Sequence, residues 1–370
     1  MRRLQNARVR VLVVNAGSSS LKLSALEDDE LFFSQSLAPD AEDEVPGSIE
    51  QAGVLDAVGH RIVHGGSEFV EPVLVDEAVL RRLRALVDLA PLHQPKSLRA
   101  YDLVRGLRPE LPAVACFDTA FHARLPAAAS TYALPSEWRK RWDLRRYGFH
   151  GLSHDYASRR GAELDGRSRE ELRIVTCHLG SGASLAAVDR GVSVDTTMGF
   201  TPLEGLVMAT RSGSVDPGLV LWLEEHVGTP PSELAATLEH RSGLLGLAGN
   251  ADLRLVLEAE TRGEEDAVLA VGVYLHRLCA GIAAMAAALD GLDVLVFTGG
   301  VGEHSAPIRA RAAAGLGFLG VVLDAEANEA AVPDAEIGDT RASVRTFVVA
   351  AREDLQIARD VRRVLTEVKR

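Results

Sequence analysis

The sequence predicts an α/β protein built from two related lobes, and three observations carry that expectation. Strand-like apolar runs alternate with helical patterns along most of the chain, the arrangement that yields sheets flanked by helices. One device, an apolar run, a Gly/Ser-rich turn and a second apolar run, occurs twice, at Val9 to Leu26 and at Leu172 to Val188. Finally, 370 residues with 47% apolar content exceed what one hydrophobic core usually organises. With no long Pro/Ser linker between them, the two lobes are expected to pack together around a cleft.

The elements follow in order. Val9 to Val14 reads as the first strand, because its apolar run of about four residues is too short for the h-region of a secretory leader, roughly 7–15 residues. The turn Asn15-Ala-Gly-Ser-Ser-Ser and the run Leu21 to Leu26 complete a hairpin. Strand-like runs follow at Ala57 to Val63 and Ala113 to Phe117, with helical patterns at Asp76 to Leu89 and Pro95 to Leu107. The stretch between Leu26 and Ala57 reads as a surface region. The second lobe opens with Leu172 to Cys177, the turn His178-Leu-Gly-Ser-Gly-Ala-Ser, Leu185 to Val188 and a third run, Gly191 to Val194. Helical patterns come next at Asp216 to His226, Pro231 to Glu239, Asp252 to Thr261 and Glu265 to Leu289. Val268 to Leu289 approaches membrane-spanning length, but His276 and Arg277 at its middle and its Ala/Gly content mark a buried helix. A buried strand, Val294 to Phe297, ends in Thr-Gly-Gly-Val-Gly-Glu; a helix near Ala306 to Ala314, strands at Val321 to Leu323 and Val344 to Val349, and a helix at Glu353 to Val368 close the chain. That last helix carries an apolar stripe at Leu355, Ile357, Ala358, Val361 and Leu365.

Charge and cysteine usage narrow the function. Forty basic against 52 acidic residues give a net charge of −12, which offers no basic surface to nucleic acid or an anionic membrane. Three scattered cysteines, Cys116, Cys177 and Cys279, form neither a disulfide framework nor a zinc spacing, and point to a reducing cytoplasm. Only Lys22, Lys96, Lys140 and Lys369 are lysines, so a Lys inside a motif carries information.

Several short patterns fail on context. Gly315-Leu-Gly-Phe-Leu-Gly320 follows a helix instead of opening one, contrary to a dinucleotide fingerprint. Ser19-Ser-Leu-Lys22 lacks the companion motifs of serine acylases. His150-Gly-Leu-Ser-His154 has Gly151 where a metalloprotease helix needs Glu. No P-loop is present. What remains is three glycine-rich turns, Asn15 to Ser20, His178 to Ser184 and Gly299 to Glu303, each ending an apolar strand. Such turns bring backbone N–H groups close to phosphate oxygens. One alone is usually only a hairpin; three, with Lys22 beside the first, favour a nucleotide cleft. Polar clusters surround them: Gly59-His-Arg-Ile-Val-His-Gly-Gly66, Phe117-Asp-Thr-Ala-Phe-His122, Tyr147-Gly-Phe-His-Gly151 and Thr210-Arg-Ser-Gly213. An Arg between Gly and His at a strand end suits bidentate anion capture, although an ordinary ion pair is the commoner role of any one Arg. Asp118 ends a buried strand, where open α/β sheets place ligands.

Taken in order, VNAGSSSLK, HRIVHGG, PLHQP, FDTAFH, YGFHGLSH, HLGSGAS, VDTTMGFTPLEG, TRSG, FTGGVGE and EDLQIAR resemble the acetate kinase family of acyl-phosphate kinases, from Val11 to about Asp360. That family lies within the actin-like, sugar-kinase and heat-shock chaperone superfamily. The resemblance implies two duplicated ribonuclease-H-like domains, residues 1–120 with 354–370 on the acetate and metal side and 121–353 for nucleotide binding and dimerisation. It also implies reversible, in-line transfer of the ATP γ-phosphoryl group to acetate, giving acetyl phosphate and ADP with Mg²⁺ (or Mn²⁺), by a cytoplasmic homodimer. Position by position, the metal site corresponds to Asn15 and Glu353, and the phosphate-proximal lysine to Lys22. Arg61 and Arg211 look like the arginines that hold acetate and the phosphoryl group, with His150 assisting and Asp118 as the family's catalytic Asp. Val63, Leu92, His93, Phe149 and Pro202 correspond to the acyl site. His178, Leu179, Gly180, Ser181 and Gly182, then Asp252, Leu253 and Arg254, then Gly300, Val301, Gly302, Glu303 and His304 correspond to the ATP site. A carboxylate nucleophile is ionised at neutral pH and has no proton to give up. Asp118 is therefore expected to orient the metal shell or a guanidinium instead of acting as a base.

The chain departs from the family at Ser181, where Asn is usual, at Ala351-Arg352 before the metal carboxylate, where Thr-Asn is usual, and by a shortened stretch between Leu26 and Ala57. Ser181 bears on the phosphoryl donor. Three rivals follow: a propionate or butyrate kinase, since one methylene is worth only about 1–3 kcal/mol of discrimination; a nucleotide-binding regulatory module, which has no need of an acetate-side clamp; and a phosphatase or polyphosphate enzyme, which has no need of an apolar acyl pocket.

Overall fold

The computed structural model describes residues 8–17, 20–38, 41–89 and 94–368, and these divide into two compact units. Unit 1 comprises the chain to Ala123, Gly151–Tyr156 and the stretch from Arg352 onward; unit 2 comprises Arg124–His150 and Ala157–Ala351.

Unit 1 contains β1 (Arg10–Ala16), β2 (Leu21–Glu27), β3 (Glu30–Leu37), β4 (Ala57–Ile62), β5 (Val73–Leu74) and β6 (Ala113–Phe117) in the order β3-β2-β1-β4-β6-β5. Unit 2 contains β7 (Arg173–Leu179), β8 (Ala183–Asp189), β9 (Val192–Thr196), β10 (Val294–Thr298), β11 (Ala335–Glu336) and β12 (Arg345–Val348) in the order β11-β12-β10-β7-β8-β9. Read in reverse, from β9 to β11, the second order matches the first strand for strand. In each unit the first three strands form an antiparallel meander, the first, fourth and sixth run parallel, and the fifth is an antiparallel edge. The repeated hairpin of the sequence is thus part of a repeated sheet.

Central strands read as continuous apolar runs because helices cover both faces. Val11 to Val14 and Val294 to Phe297 are all but inaccessible. The closing helix Glu353–Val368 lies against β1, β4 and β6. Gly59 permits that approach, since a Cβ there would fall 2.5 Å from Ile357 Cγ2 and 2.8 Å from Val361 Cγ2. The helix buries Ile357, Ala358, Val361 and Val364, so Val364 completes the stripe in place of Leu365. In unit 2 the helix Glu265–Ala288 is long and apolar enough to cross a membrane, yet Ala267, Ala270, Val271, Tyr274, Leu278, Ile282 and Met285 form one stripe buried in the unit.

Some elements differ from expectation. The helical pattern from Asp76 stops at Ala85 and continues as a tighter turn, Val87–Leu89. That from Asp216 is an α-helix over Pro217–Trp222 and a π-helical turn over Leu223–Val227. Val321 and Leu323 make only isolated bridges, to Val344 and Gly338. Between Leu26 and Ala57 stand β3 and a helix, Val45–Ala52. The helix Gly151–Asp165 gave no apolar signal because its buried residues include Ser153, His154 and Ser158.

Candidate active site

In unit 1 the ends of β1 and β4, the residue after β6 and the first turn of the closing helix deliver four side chains to one place. Arg61 donates from Nε to Asp118 Oδ1 (2.9 Å), from Nη2 to Asp118 Oδ2 (2.6 Å) and from Nη1 to Asn15 Oδ1 (3.0 Å). Asn15 in turn donates from Nδ2 to Glu353 Oε2 (2.8 Å). Asp118 is 1% exposed. Burial works against the Arg61 charge, but Asp118 and Glu353 more than reverse it and hold the guanidinium above its ordinary pKa. Fixed in this fork, Arg61 presents a permanent, oriented cation. Two nearby turns are hydrogen-bonded to the segment after β6. Gly151 donates its N–H to the Asp118 carbonyl (2.8 Å), against which a Cβ would collide. Gly65 donates to Thr119 Oγ1 (3.0 Å), just past Val63, which is buried. Lys22 is the register partner of Asn15 across the β1–β2 hairpin, so both side chains leave one face. Leu92 and His93 lie outside the described residues.

The donors of Asn15, Asp118 and Glu353 are hard oxygens, and no group of three or more His, Cys, Asp or Glu forms a self-sufficient cage among the described residues. One or two such oxygens, with waters and substrate phosphates completing the shell, are what magnesium takes. Asn15 and Glu353 fit that ion. His150 and His154 do not act as a pair: the His154 ring faces His122, whereas the His150 ring lies 4.4 Å from that of His178.

In unit 2 the equivalent hairpin, β7–β8, carries the second cluster. His150 caps the helix Gly151–Asp165 in a left-handed conformation (φ 57°), a strained state for a non-glycine residue, and its Nδ1 meets Ser184 Oγ at 2.9 Å. Arg211 donates from Nη1 to the Pro202 carbonyl (2.7 Å), with Glu239 Oε1 3.8 Å from its Nε. These two side chains converge on Gly182. A Cβ at that residue would lie 2.7 Å from Arg211 Nη2 and 3.3 Å from His150 Nε2. Two nitrogens flanking a bare glycine make a cradle for a small oxyanion. Phe149, the residue before His150, and Pro202, whose carbonyl accepts from Arg211, are both buried.

The same turn borders a cavity of about 680 Å³ within unit 2. Gly180 and Ser181 line one part of it, Asp252, Leu253 and Arg254 another, and Gly300, Val301 and His304 a third. Leu244, Leu257 and Tyr274, which sequence reasoning missed, add apolar wall. Asp252 caps its helix and accepts from Arg254 Nη2 at 2.6 Å; that hydrogen bond holds its carboxyl below the usual range. Leu179, Gly302 and Glu303 do not line it. The Gly302 and Glu303 carbonyls accept from the buried Arg309 (3.0 and 2.8 Å), and Glu303 Oε1 accepts the Ala351 N–H at 2.9 Å. Ser184, Glu239 and Arg309 join the site only in three dimensions. Ser184 lies inside the HLGSGAS motif; the other two carry no local sequence signal.

A family model, described as the acetokinase family, matches residues 36–359. The chain belongs to the acetokinase family. The acetate kinase of Thermotoga maritima is 42% identical over 98% of this chain and all of its own length. That of Synechococcus sp. strain JA-2-3B'a(2-13) is 49% identical over 84% of this chain and 77% of its own. Among solved structures, Porphyromonas gingivalis acetate kinase matches with a TM-score of 0.89 at 35% identity, covering 96% of this chain and 100% of that one. A propionate kinase from Francisella tularensis matches at 0.88 and 33%, covering 95% and 98%. Membership accounts for the duplicated sheet and for the order of the motifs, and it makes this acetokinase-family chain a phosphotransferase that uses ATP.

Proposed function

We propose that this protein is an acetate kinase, transferring the γ-phosphoryl group of ATP to the carboxylate of acetate and running in reverse from acetyl phosphate and ADP. One observation carries the reading: a single turn lines a nucleotide-sized cavity with Gly180 and Ser181 and, at the next residue, Gly182, meets Arg211 and His150. A triphosphate whose base and ribose occupy the apolar cavity would direct its terminal phosphate along that turn.

The residue roles follow from the chemistry. In phosphoryl transfer the charge spreads over three equatorial oxygens, so positioned donors matter more than a strong base. Arg211 and His150 supply such donors, and Arg61, held by Asp118, supplies another for the acid or its phosphoryl partner. Asp118, with both oxygens on the guanidinium, positions Arg61 and removes no proton. By correspondence with the family's motifs, Lys22 belongs to the phosphate side, and Val63, Leu92, His93, Phe149 and Pro202 are assigned to the acyl acceptor. Asn15 and Glu353 would hold magnesium, which when bound neutralises phosphate charge.

The remainder of the reading is a cytoplasmic homodimer. Free Cys116, Cys177 and Cys279 support a reducing compartment. The exposed segment around Leu219, Leu221, Trp222 and Val227 supplies an apolar surface for self-association.

The test is acyl-phosphate formation, trapped as the hydroxamate, with ATP and Mg²⁺ against acetate, propionate and butyrate. A kcat/KM highest for acetate is expected. Activity confined to the longer acids would retain the mechanism and change the substrate, and none with any acid would refute the proposal.

A further inference from the structure

The loop 197–205, which carries Pro202, is held by a side-chain network that phosphoryl transfer itself does not use. Tyr132 donates from Oη to Glu204 Oε2 (2.6 Å), and Arg146 donates from Nη2 to Glu204 Oε1 (2.7 Å). Arg146 also donates from Nη1 to the carbonyls of Thr197 (3.1 Å) and Met198 (2.9 Å), while Tyr132 Oη accepts the Phe200 N–H (2.9 Å). Gly199 has no room for a Cβ, which would run into Glu204 and Tyr132. Its carbonyl accepts from the N–H groups of Tyr147 (3.0 Å) and Gly148 (3.3 Å), tying the loop to the segment that continues into Phe149 and His150. Burial, reinforced by the bond to Glu204, raises the Tyr132 phenol pKa, so the hydroxyl stays a donor at working pH.

All these residues belong to unit 2, and the two ends of the network meet residues of the proposed site. Pro202 offers its carbonyl to Arg211 (2.7 Å), and Phe149 follows the stapled Tyr147-Gly148. We propose that Tyr132, Glu204 and Arg146 form a positioning network that sets acyl-chain length by fixing Pro202 relative to Phe149. This rests on the acyl-kinase reading above. A wall made of one loop proline would yield to an extra methylene; a loop braced through both Glu204 oxygens, two backbone carbonyls and a backbone N–H does not. Rejection of a longer acid then depends on the stiffness of the brace as well as on the size of the pocket.

The experiment compares wild-type protein with Tyr132→Phe, which removes one oxygen, and Glu204→Gln, which keeps the shape but sets an amide N–H against one of its donors. Hydroxamate formation from acetate, propionate and butyrate is measured with thermal unfolding of each protein. The kcat/KM ratio of propionate to acetate is expected to rise about threefold to tenfold in both variants, a fraction of what one methylene can be worth, while KM for ATP stays within about twofold. A merely structural role would lower all three acids in proportion. An unchanged ratio in folded variants overturns the proposal, whatever happens to total activity, and Glu204→Gln alone carries the test if Tyr132→Phe fails to fold. A wild-type protein inactive on every acid would instead overturn the acyl-kinase reading and this proposal with it.

Discussion

Gly182→Ala is expected to leave the protein as stable as before, or slightly more so, while crippling phosphoryl transfer. The added Cβ would stand 2.7 Å from Arg211 Nη2 and 3.2 and 3.3 Å from His150 Cε1 and Nε2. Ordinary contact begins at 3.4 Å, so the guanidinium must retreat by about 0.7 Å and the imidazole by about 0.1–0.2 Å. Arg211 is the end of a long side chain, and the retreat is cheap in stability, but its Nη1 is tethered to the Pro202 carbonyl at 2.7 Å, so it must pivot out of line. A displacement approaching 1 Å in a transfer site costs up to about a hundredfold in rate, so kcat/KM should fall by about tenfold to hundredfold. Gly182 is not among the glycines with positive φ, so alanine is conformationally acceptable and should contribute about 0.4–1 kcal/mol by restricting the unfolded chain. The assay pairs hydroxamate kinetics with thermal unfolding. A variant that keeps its activity within about threefold would refute the claim that Arg211 and His150 close on an oxyanion above this glycine.

Other perturbations probe separate parts of the account. Asp118→Asn leaves the Arg61 guanidinium without its main anionic partner; kcat/KM should fall by about tenfold to hundredfold with weaker magnesium activation, since breaking a buried pair is costly, and a variant with near-normal activity and magnesium dependence would contradict the positioning role. Asp360 is pushed up to about 6, chiefly by burial and then by Asp155, against the pull of Arg363 and Gln356. Its folded pKa exceeds the unfolded value near 3.9, so the folded state binds the extra proton and stability falls as pH rises from about 4 through 6. Asp360→Asn should remove that fall and be the more stable protein at pH 7–8, by about 1–3 kcal/mol; parallel melting curves from pH 5 to 8 would contradict it. Leu221→Glu with Trp222→Glu places charge on the exposed apolar segment and should convert a dimer to a monomer in sedimentation velocity; a wild-type monomer would refute the proposed association.

The parts of this fold that were legible in sequence are those where burial and chain chemistry agree. β1 and β10 are covered on both faces and read as unbroken apolar runs, and their Gly/Ser or Gly-Gly ends mark the turns. β3 was illegible because it is an edge strand whose residues are mostly exposed or half-buried, so no alternation survives. The helix Gly151–Asp165 was illegible for the opposite reason: Ser153, His154 and Ser158 are buried where a pattern search looks for Leu or Val. Site residues followed the same division. Arg61 and Asp118 stood out by local context, but Asn15 and Glu353 are 338 positions apart and only the family's motif order joined them. Glu204 and Tyr132, 72 positions apart, had no such motif pairing, and their hydrogen bond became visible only in three dimensions.

Whether Arg211 acts on the transferring phosphoryl group while the neighbouring cavity holds the nucleotide is decided in the reverse direction. ATP formation from acetyl phosphate and ADP should be followed for wild type and Arg211→Ala, with ADP affinity of each measured by calorimetry. Because Arg211 does not line the cavity, the variant's rate should fall by at least about a hundredfold, the scale of losing one charge-stabilising donor, with ADP affinity within about threefold. A variant that keeps more than about a tenth of the rate, or one that loses ADP binding in step with turnover, would contradict it.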